Sequence, residues 1–256
     1  MEKGTIIVSM TTWPPRAATA FDAMRAVVRQ NCSQPVHYVL ALSDEEFTAD
    51  HPIVADMQSL GVEVIFDRGN TRPHKKLMPA IERYPDNAII VIDDDIEQRD
   101  GWLQQMIDDH EANPDDIIYG LSGSVVEMQG DRIVEGFDQR GLHTHPGRVT
   151  LNCKPANGAA GTLYPAGTFT DRRFFDRELY MTLSPTSDET WQWAFAVMAG
   201  RTFRCLSAYN YPYILPSDQT CALARINVPH YTDIHNRIAD AFPEYRRAMK
   251  NIIKQL

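Results

Sequence analysis

Along the first 95 residues, short apolar runs alternate with stretches whose apolar residues recur at helical spacing. The runs at 5–9, 36–42, 62–66 and 88–92 read as strands. Between them, Phe21, Met24 and Val28 mark one helix, 53–60 a second that Gly61 stops, and 75–83 a third with Leu77, Ile81 and Tyr84 on one side. Trp13-Pro14-Pro15-Arg16 forms a stiff loop after the first strand, and Pro85-Asp86-Asn87 turns the chain into the fourth. This alternation predicts a mostly parallel sheet flanked by helices. In such sheets ligands bind beyond the carboxyl ends of the strands.

After residue 95 the rhythm loosens. Asp100 is placed to cap a helix carrying Trp102, Leu103, Met106 and Ile107, which Asn113-Pro114 ends. Residues 117–126 read as a strand, and 129–165, rich in glycine and polar residues, as a long irregular segment of the kind that forms an active-site loop or lid. Helical spacing returns at Asp188 with Trp191, Phe195 and Met198 until Gly200, followed by a strand over 202–206. Ile234, Ile238, Tyr245, Met249 and Ile252 predict one closing amphipathic helix. No internal repeat or clean linker interrupts the chain, so the expectation is a single α/β domain over 1–256.

Composition narrows the classes. A chain of 256 residues that is 43% hydrophobic can bury a large core. Its net charge of −9 argues against nucleic acid as a partner and against general attraction to an anionic membrane. An anionic substrate must therefore meet a local positive patch or a metal. Cys32, Cys153, Cys205 and Cys221 show no C-x-x-C spacing, which fits reduced thiols in the cytoplasm rather than a zinc site or a disulfide framework. No apolar stretch approaches the roughly 20 residues of a membrane span, and residues 1–9 lack a signal-peptide plan.

The sharpest chemical feature is the end of the fourth strand, where Ala88-Ile89-Ile90-Val91-Ile92 runs into Asp93, Asp94 and Asp95. Strand alternation sets Asp93 and Asp95 on one face and Asp94 on the other, a D-x-D pair. Two hard oxygen ligands suit Mg2+ or Mn2+ completed by water and substrate phosphates. The plain alternative is a solvated acidic turn.

Several segments, in order, resemble bacterial glycosyltransferases of GT-A type, a family-2-like group used in surface polysaccharide assembly. They are Val8-Ser9-Met10-Thr11-Thr12-Trp13-Pro14-Pro15-Arg16, then Arg72-Pro73-His74-Lys75-Lys76-Leu77-Met78-Pro79-Ala80, then Ile90-Val91-Ile92-Asp93-Asp94-Asp95-Ile96 with Gly101-Trp102-Leu103. Asn157-Gly158-Ala159-Ala160-Gly161-Thr162-Leu163-Tyr164-Pro165 and Ser187-Asp188-Glu189-Thr190-Trp191 follow, covering together roughly residues 5–205. The acidic pair expected as Asp-Asp is Asp188-Glu189 here, which leaves open which member is catalytic.

The resemblance implies a GT-A-like, Rossmann-like fold, with 1–95 as the nucleotide-binding half and 96–256 as the acceptor-side half and C-terminal helix. It implies transfer of a sugar from a nucleotide-sugar donor, a UDP-sugar being favoured, to a glycan or lipid-linked saccharide acceptor. Asp95 becomes the direct ligand of Mn2+ or Mg2+, Asp93 a ligand through water or a ribose contact, and Asp94 mainly structural. Thr11, Thr12 and Arg16 fall where nucleobase and ribose sit, with Arg16 in reach of phosphate. Lys75 and Lys76 offset diphosphate charge, and because adjacent helical residues point about 100 degrees apart, Lys76 is favoured to face the site. Gly161 closes a glycine loop, from Gly158, that either lets backbone approach the donor sugar or is a plain turn.

By the same resemblance, Asp188 or Glu189 is the base for the acceptor hydroxyl, predicting inversion at the anomeric carbon; simple N-capping by Ser187 or Asp188 is the alternative. Trp191 and Trp193 lie within a turn of the pair and are candidate sugar platforms, although tryptophans alone are more often core. His230 is a candidate additional metal ligand, with His235 and the His143-x-His145 pair weighed beside it. A nucleotidyltransferase acting on a sugar phosphate and a non-catalytic Ca2+-dependent sugar-binding protein remain as alternatives. A haloacid-type phosphatase is disfavoured because the first strand ends without an acid. Arg246, Arg247, Lys250 and Lys254 on the last helix allow peripheral membrane association, against the simpler reading of a solvated helix end.

Overall fold

The computed structural model describes residues 4–137, 146–156, 158–208, 212–216 and 222–256. Its first half runs β1 (Ile6–Thr11), α1 (Ala17–Val28), β2 (Val36–Ser43), α2 (Pro52–Ser59), β3 (Glu63–Asp67), α3 (Met78–Arg83) and β4 (Ile89–Val91). Next come β5 (Ile96–Glu97), α4 (Trp102–Ala112), β6 (Ile117–Tyr119), β7 (Ser122–Gln129), β8 (Arg132–Phe137), β9 (Val149–Thr150), β10 (Cys153–Pro155) and β11 (Thr162–Tyr164). The chain finishes with α5 (Arg177–Leu183), α6 (Asp188–Met198), β12 (Phe203–Cys205), β13 (Tyr213–Ile214), α7 (Leu223–Asn227), α8 (Tyr231–Ala241) and α9 (Pro243–Ile253).

Eight strands form the central sheet in the order β3-β2-β1-β4-β11-β6-β12-β9. The first four are mutually parallel. β11 runs antiparallel between β4 and β6, β12 returns parallel to β6, and β9 closes the edge antiparallel. Strand alternation divides the core in two. Ile6, Val8, Met10, Leu40, Leu42, Ile90 and Ile92 pack under α1, α2 and α4, while Ile7, Val39, Ile89 and Val91 face α3, α6, α8 and α9. Burial on both faces is why the strands read as continuous apolar runs.

Five expectations need correction. The helix over 75–83 begins only at Met78, after a 3-10 turn from Arg72 to Lys76. Pro79 is the reason: in an α-helix running through from Lys75 its ring would meet the carbonyl four residues back. Residues 117–126 are two strands in different sheets. At Gly120 the chain leaves β6, and β7 joins a separate antiparallel sheet in the order β10-β7-β8; a Cβ at Gly120 would stand 2.3 Å from the Ala160 carbonyl oxygen. The segment 129–165 contributes β8 to β11, three of them only two or three residues long and so without a readable period. The closing helix is two helices, α8 and α9, broken where Pro243 takes the first position of the second. At α4, moreover, Gly101 with φ of 81° occupies the N-cap, not Asp100.

Candidate active site

The three aspartates lie at the carboxyl edge of the sheet, but not on a strand. β4 stops at Val91. Ile92 N still donates to Ser9 O of β1, at 3.1 Å, whereas Asp93 N donates to Gly158 O, at 3.2 Å. The ladder partner thus changes from strand to loop between these residues, and the expected alternation is lost. Asp94 and Asp95 share one guanidinium: Arg16 Nη1 lies 3.0 Å from Asp94 Oδ1 and 3.1 Å from Asp95 Oδ2. Asp94 also accepts from Thr12 Oγ1 at 2.7 Å. Burial pushes the Asp94 carboxyl up, against the pull of Thr12 and Arg16. Asp93 instead pairs with Lys76.

Lys76 joins this triplet to the acidic pair, with its Nζ 3.8 Å from Asp188 Oδ2. Burial opposes its charge, but Asp188 and Asp93 more than restore it, so Lys76 is held firmly as a cation. Lys75 turns elsewhere, donating to Asn70 Oδ1 at 2.7 Å beside Glu46. Thr11 spends its hydroxyl on the Ala41 carbonyl at 2.7 Å. Of the residues after β1, Thr12 and Arg16 are therefore the ones brought to the triplet.

Asp188 and Glu189 open α6. Ser187 is the cap, accepting from Thr190 N, so neither acid is consumed in that task. Burial drives the Asp188 carboxyl up to about 7, with Lys76 opposing and Glu189 reinforcing. Glu189 moves the other way: burial is outweighed by Lys154, by Tyr231 and by the hydrogen bond from Asp188. Tyr231 OH donates to Glu189 Oε1 at 2.6 Å. Near neutrality the two carboxyls thus share a proton as a unit.

The glycine loop serves packing. A Cβ on Gly158 would lie 2.2 Å from Asp93 Oδ1, and one on Gly161, whose φ is +77°, would lie 2.3 Å from Trp102 Cζ2. The close approach expected at Gly161 toward a sugar is occupied by that indole. Trp191 and Trp193 are likewise core residues, 0% and 1% exposed, and not sugar platforms. Trp191 donates to Phe174 O at 3.0 Å, and Trp193 packs on Phe203.

His230 is exposed at the end of a 3-10 turn. Among the described residues no group of three or more His, Cys, Asp or Glu is arranged to hold a metal ion, so His230 is not gathered with Asp93 and Asp95. His143, His145, Asn157 and Cys221 lie outside the described residues. Sequence reasoning missed Lys154 and Glu135, which meet beneath the acidic pair at 3.1 Å. It also missed the burial of His235, although that residue falls on the apolar stripe of α8 with Tyr231, Ile234 and Ile238.

A mostly parallel sheet flanked by helices, with charged groups gathered beyond its carboxyl edge, belongs to the GT-A-like class of fold. The particular proteins it resembles are structures of TarS from S. aureus. The crystal structure of TarS 1-349 gives a TM-score of 0.57 at 14% identity, covering 99% of this chain and 92% of that one. TarS 1-349 in complex with UDP also gives 0.57, at 15% identity, over 97% and 70% of the two chains. A further TarS crystal structure gives 0.57 at 15%, over 89% and 39%. No family model and no curated protein matches the sequence. Among the described residues no helix is long and apolar enough to cross a membrane.

Proposed function

We propose that this protein is a glycosyltransferase that moves a sugar from a nucleoside-diphosphate sugar to an acceptor hydroxyl with inversion. The observation that carries the reading is the bridge from the triplet to the acidic pair: Lys76 links Asp93 to Asp188 at the carboxyl edge of a TarS-like fold. This juxtaposition supplies groups for a leaving diphosphate on one side and for an acceptor proton on the other.

A divalent cation fits the residues present. Asp93 and Asp95 offer hard oxygen donors, the Asp93 side chain being 30% exposed. The lack of a three-residue cage among the described residues is what Mg2+ or Mn2+ tolerates when substrate phosphates and water complete its shell. Asp93 and Asp95 would hold the ion, which when bound neutralises charge growing on the diphosphate.

Arg16 and Lys76, already paired to carboxylates, add positive charge beside the same leaving group. Asp188 is the base. Its Oδ2 faces Lys76 and the triplet, whereas Glu189 Oε1 faces Tyr231 and Lys154. A carboxyl poised near 7 suits proton transfer at neutral pH. As Asp188 takes the acceptor's proton, the acceptor oxygen bonds to the anomeric carbon, and the bond to the diphosphate oxygen breaks on the opposite face. The acceptor is a glycan or a lipid-linked saccharide.

Calorimetric titration with UDP in the presence and absence of Mn2+, followed by a panel of nucleotide sugars, tests the reading. Metal-dependent UDP binding and donor turnover are the expected results. Failure of both removes the enzyme assignment, and a product with retained anomeric configuration removes the base.

A further inference from the structure

Behind the acidic pair lies a second set of buried charges. Lys154, on β10 just before the glycine loop, is 2% exposed. Its Nζ sits 3.1 Å from Glu135 Oε1 on β8 and 3.9 Å from Glu189 Oε1. It also donates to Thr190 Oγ1 at 3.1 Å and stands 3.7 Å above the centre of the Tyr231 ring. Glu135 in turn binds His235 Nε2 at 2.7 Å, and Tyr245 OH meets His235 Nδ1 at 2.7 Å. Every charge in this set has a counterpart, and the ammonium links the accessory sheet to α6.

We propose that Lys154 is a positioning residue for the acidic pair: seated between Glu135 and Glu189, its ammonium keeps the negative charge on Glu189 and leaves Asp188 as the member that exchanges a proton with the acceptor. The proposal rests on the reading of Asp188 as base. A cation this close to a carboxylate stabilises its ionised form, and the Tyr231 hydroxyl fixes which oxygen is occupied. The groups facing the pair are Lys76 and His74 from the 3-10 turn, Asp93 beyond β4, Lys154 on β10, Glu135 on β8, and Tyr231 and His235 on α8, with Tyr245 of α9 behind them. Only Lys76 and Lys154 are cations among them. Lys76 lies against Asp93 and Asp188, whereas Lys154, shared with Glu135, is the cation whose ammonium lies 3.9 Å from Glu189 Oε1.

The test compares wild type with K154M, K154R, E135Q and the K154M/E135Q double variant. It reads the pH profile of donor turnover and, independently of turnover, the titration of 13C-labelled Asp and Glu carboxyls by NMR. Removing the ammonium moves the acid limb and the pair's titration up by about 1 to 3 pH units. K154R retains the wild-type midpoint, and E135Q, which removes the competing anion, lowers it. The double variant removes Glu135 together with its cation, so it reports even if K154M does not fold, and its midpoint rises. Unmoved midpoints in E135Q and in the double variant overturn the role of Lys154. A wild type that turns over no donor overturns the enzymatic reading instead, while the carboxyl titration still decides whether Lys154 sets the charge on the pair.

Discussion

Two groups of carboxylates face each other across Lys76, and they are held in opposite ways. The triplet at the tip of β4 lies in a turn, and its partners are the ends of long side chains, Arg16 and Lys76, with one hydroxyl from Thr12. The pair at the start of α6 is fixed by helix geometry and is compensated from below by Lys154, whose other partners are all buried. Under the proposed function, Arg16 and Lys76 turn their charge from carboxylate to the donor's diphosphate without moving a backbone element. Lys154 has no such alternative. The triplet is therefore built to exchange partners, and the pair to keep a set proton affinity.

Breaking the triplet is expected to have the largest effect. Asp95→Ala removes a carboxylate from the place of greatest charge development, and kcat/KM falls about a thousandfold, the equivalent of several kcal/mol. The melting temperature changes little, because Arg16 keeps Asp94 as a partner. Chelation of divalent ions in the wild type reproduces the loss of activity. Breaking the pair comes next. Asp188→Asn lowers kcat by a factor of at least about 100, whereas Glu189→Gln costs less and changes mainly the pH dependence. Equal losses in the two variants would contradict the division of labour between them.

The contrast also sharpens with pH. Because burial raises the Asp188 carboxyl to about 7, the proposed base is protonated below that value and available above it. Turnover rises with pH and levels off above neutrality, falling about tenfold for each pH unit on the acid side. A flat profile from pH 5 to pH 8 would show that another group accepts the proton.

How much of this was legible in sequence follows the same division. The parallel half could be read because its strands are buried on both faces and its helices carry one apolar stripe, so each element left a period of its own. The triplet was visible as three adjacent acids at the end of an apolar run, and the adjacency of Lys75 and Lys76 implied that one of them alone faces the site. What could not be read were partners distant along the chain: Lys154 meets Glu135 and Glu189 from three different elements. Elements of two or three residues such as β9, β10 and β11 are too short for periodicity, and their existence depends on neighbours across the sheet. The tryptophans, which taken alone read more often as core, are core, because α6 is almost wholly buried.

Smaller effects test the packing that holds the two groups in register. Gly161→Ala places a methyl against the Trp102 ring in a left-handed backbone conformation, and a loss of about 2 to 4 kcal/mol in denaturant unfolding is expected. Trp102 Nε1 donates to Ala160 O at 3.0 Å, so the indole cannot simply swing aside. Gly167→Ala, at a positive φ but with nothing within 4 Å of the added atom, is the control and costs only the conformational part.

The least of the expected effects concerns the joint between the two groups. His74, in the turn that carries Lys76, pairs through Nε2 with the Ser184 carbonyl at 2.8 Å, just ahead of α6, and stacks on Tyr180. Burial lowers its pKa from 6.5 to about 4. Below pH 6.5 the unfolded chain gains a proton that the folded protein resists, so stability is complete above 6.5 and declines as pH falls toward 4, where the loss levels off. The buried His235 and the half-buried His110 act in the same direction. Glu135, held down to about 2, stays ionised throughout that range and contributes its own loss only below the ordinary glutamate value of 4.5. Urea midpoints measured between pH 7.5 and pH 5 should therefore fall in the wild type and fall less in His74→Gln; an identical slope in the two proteins would mean that this histidine does not set the acid sensitivity of the joint.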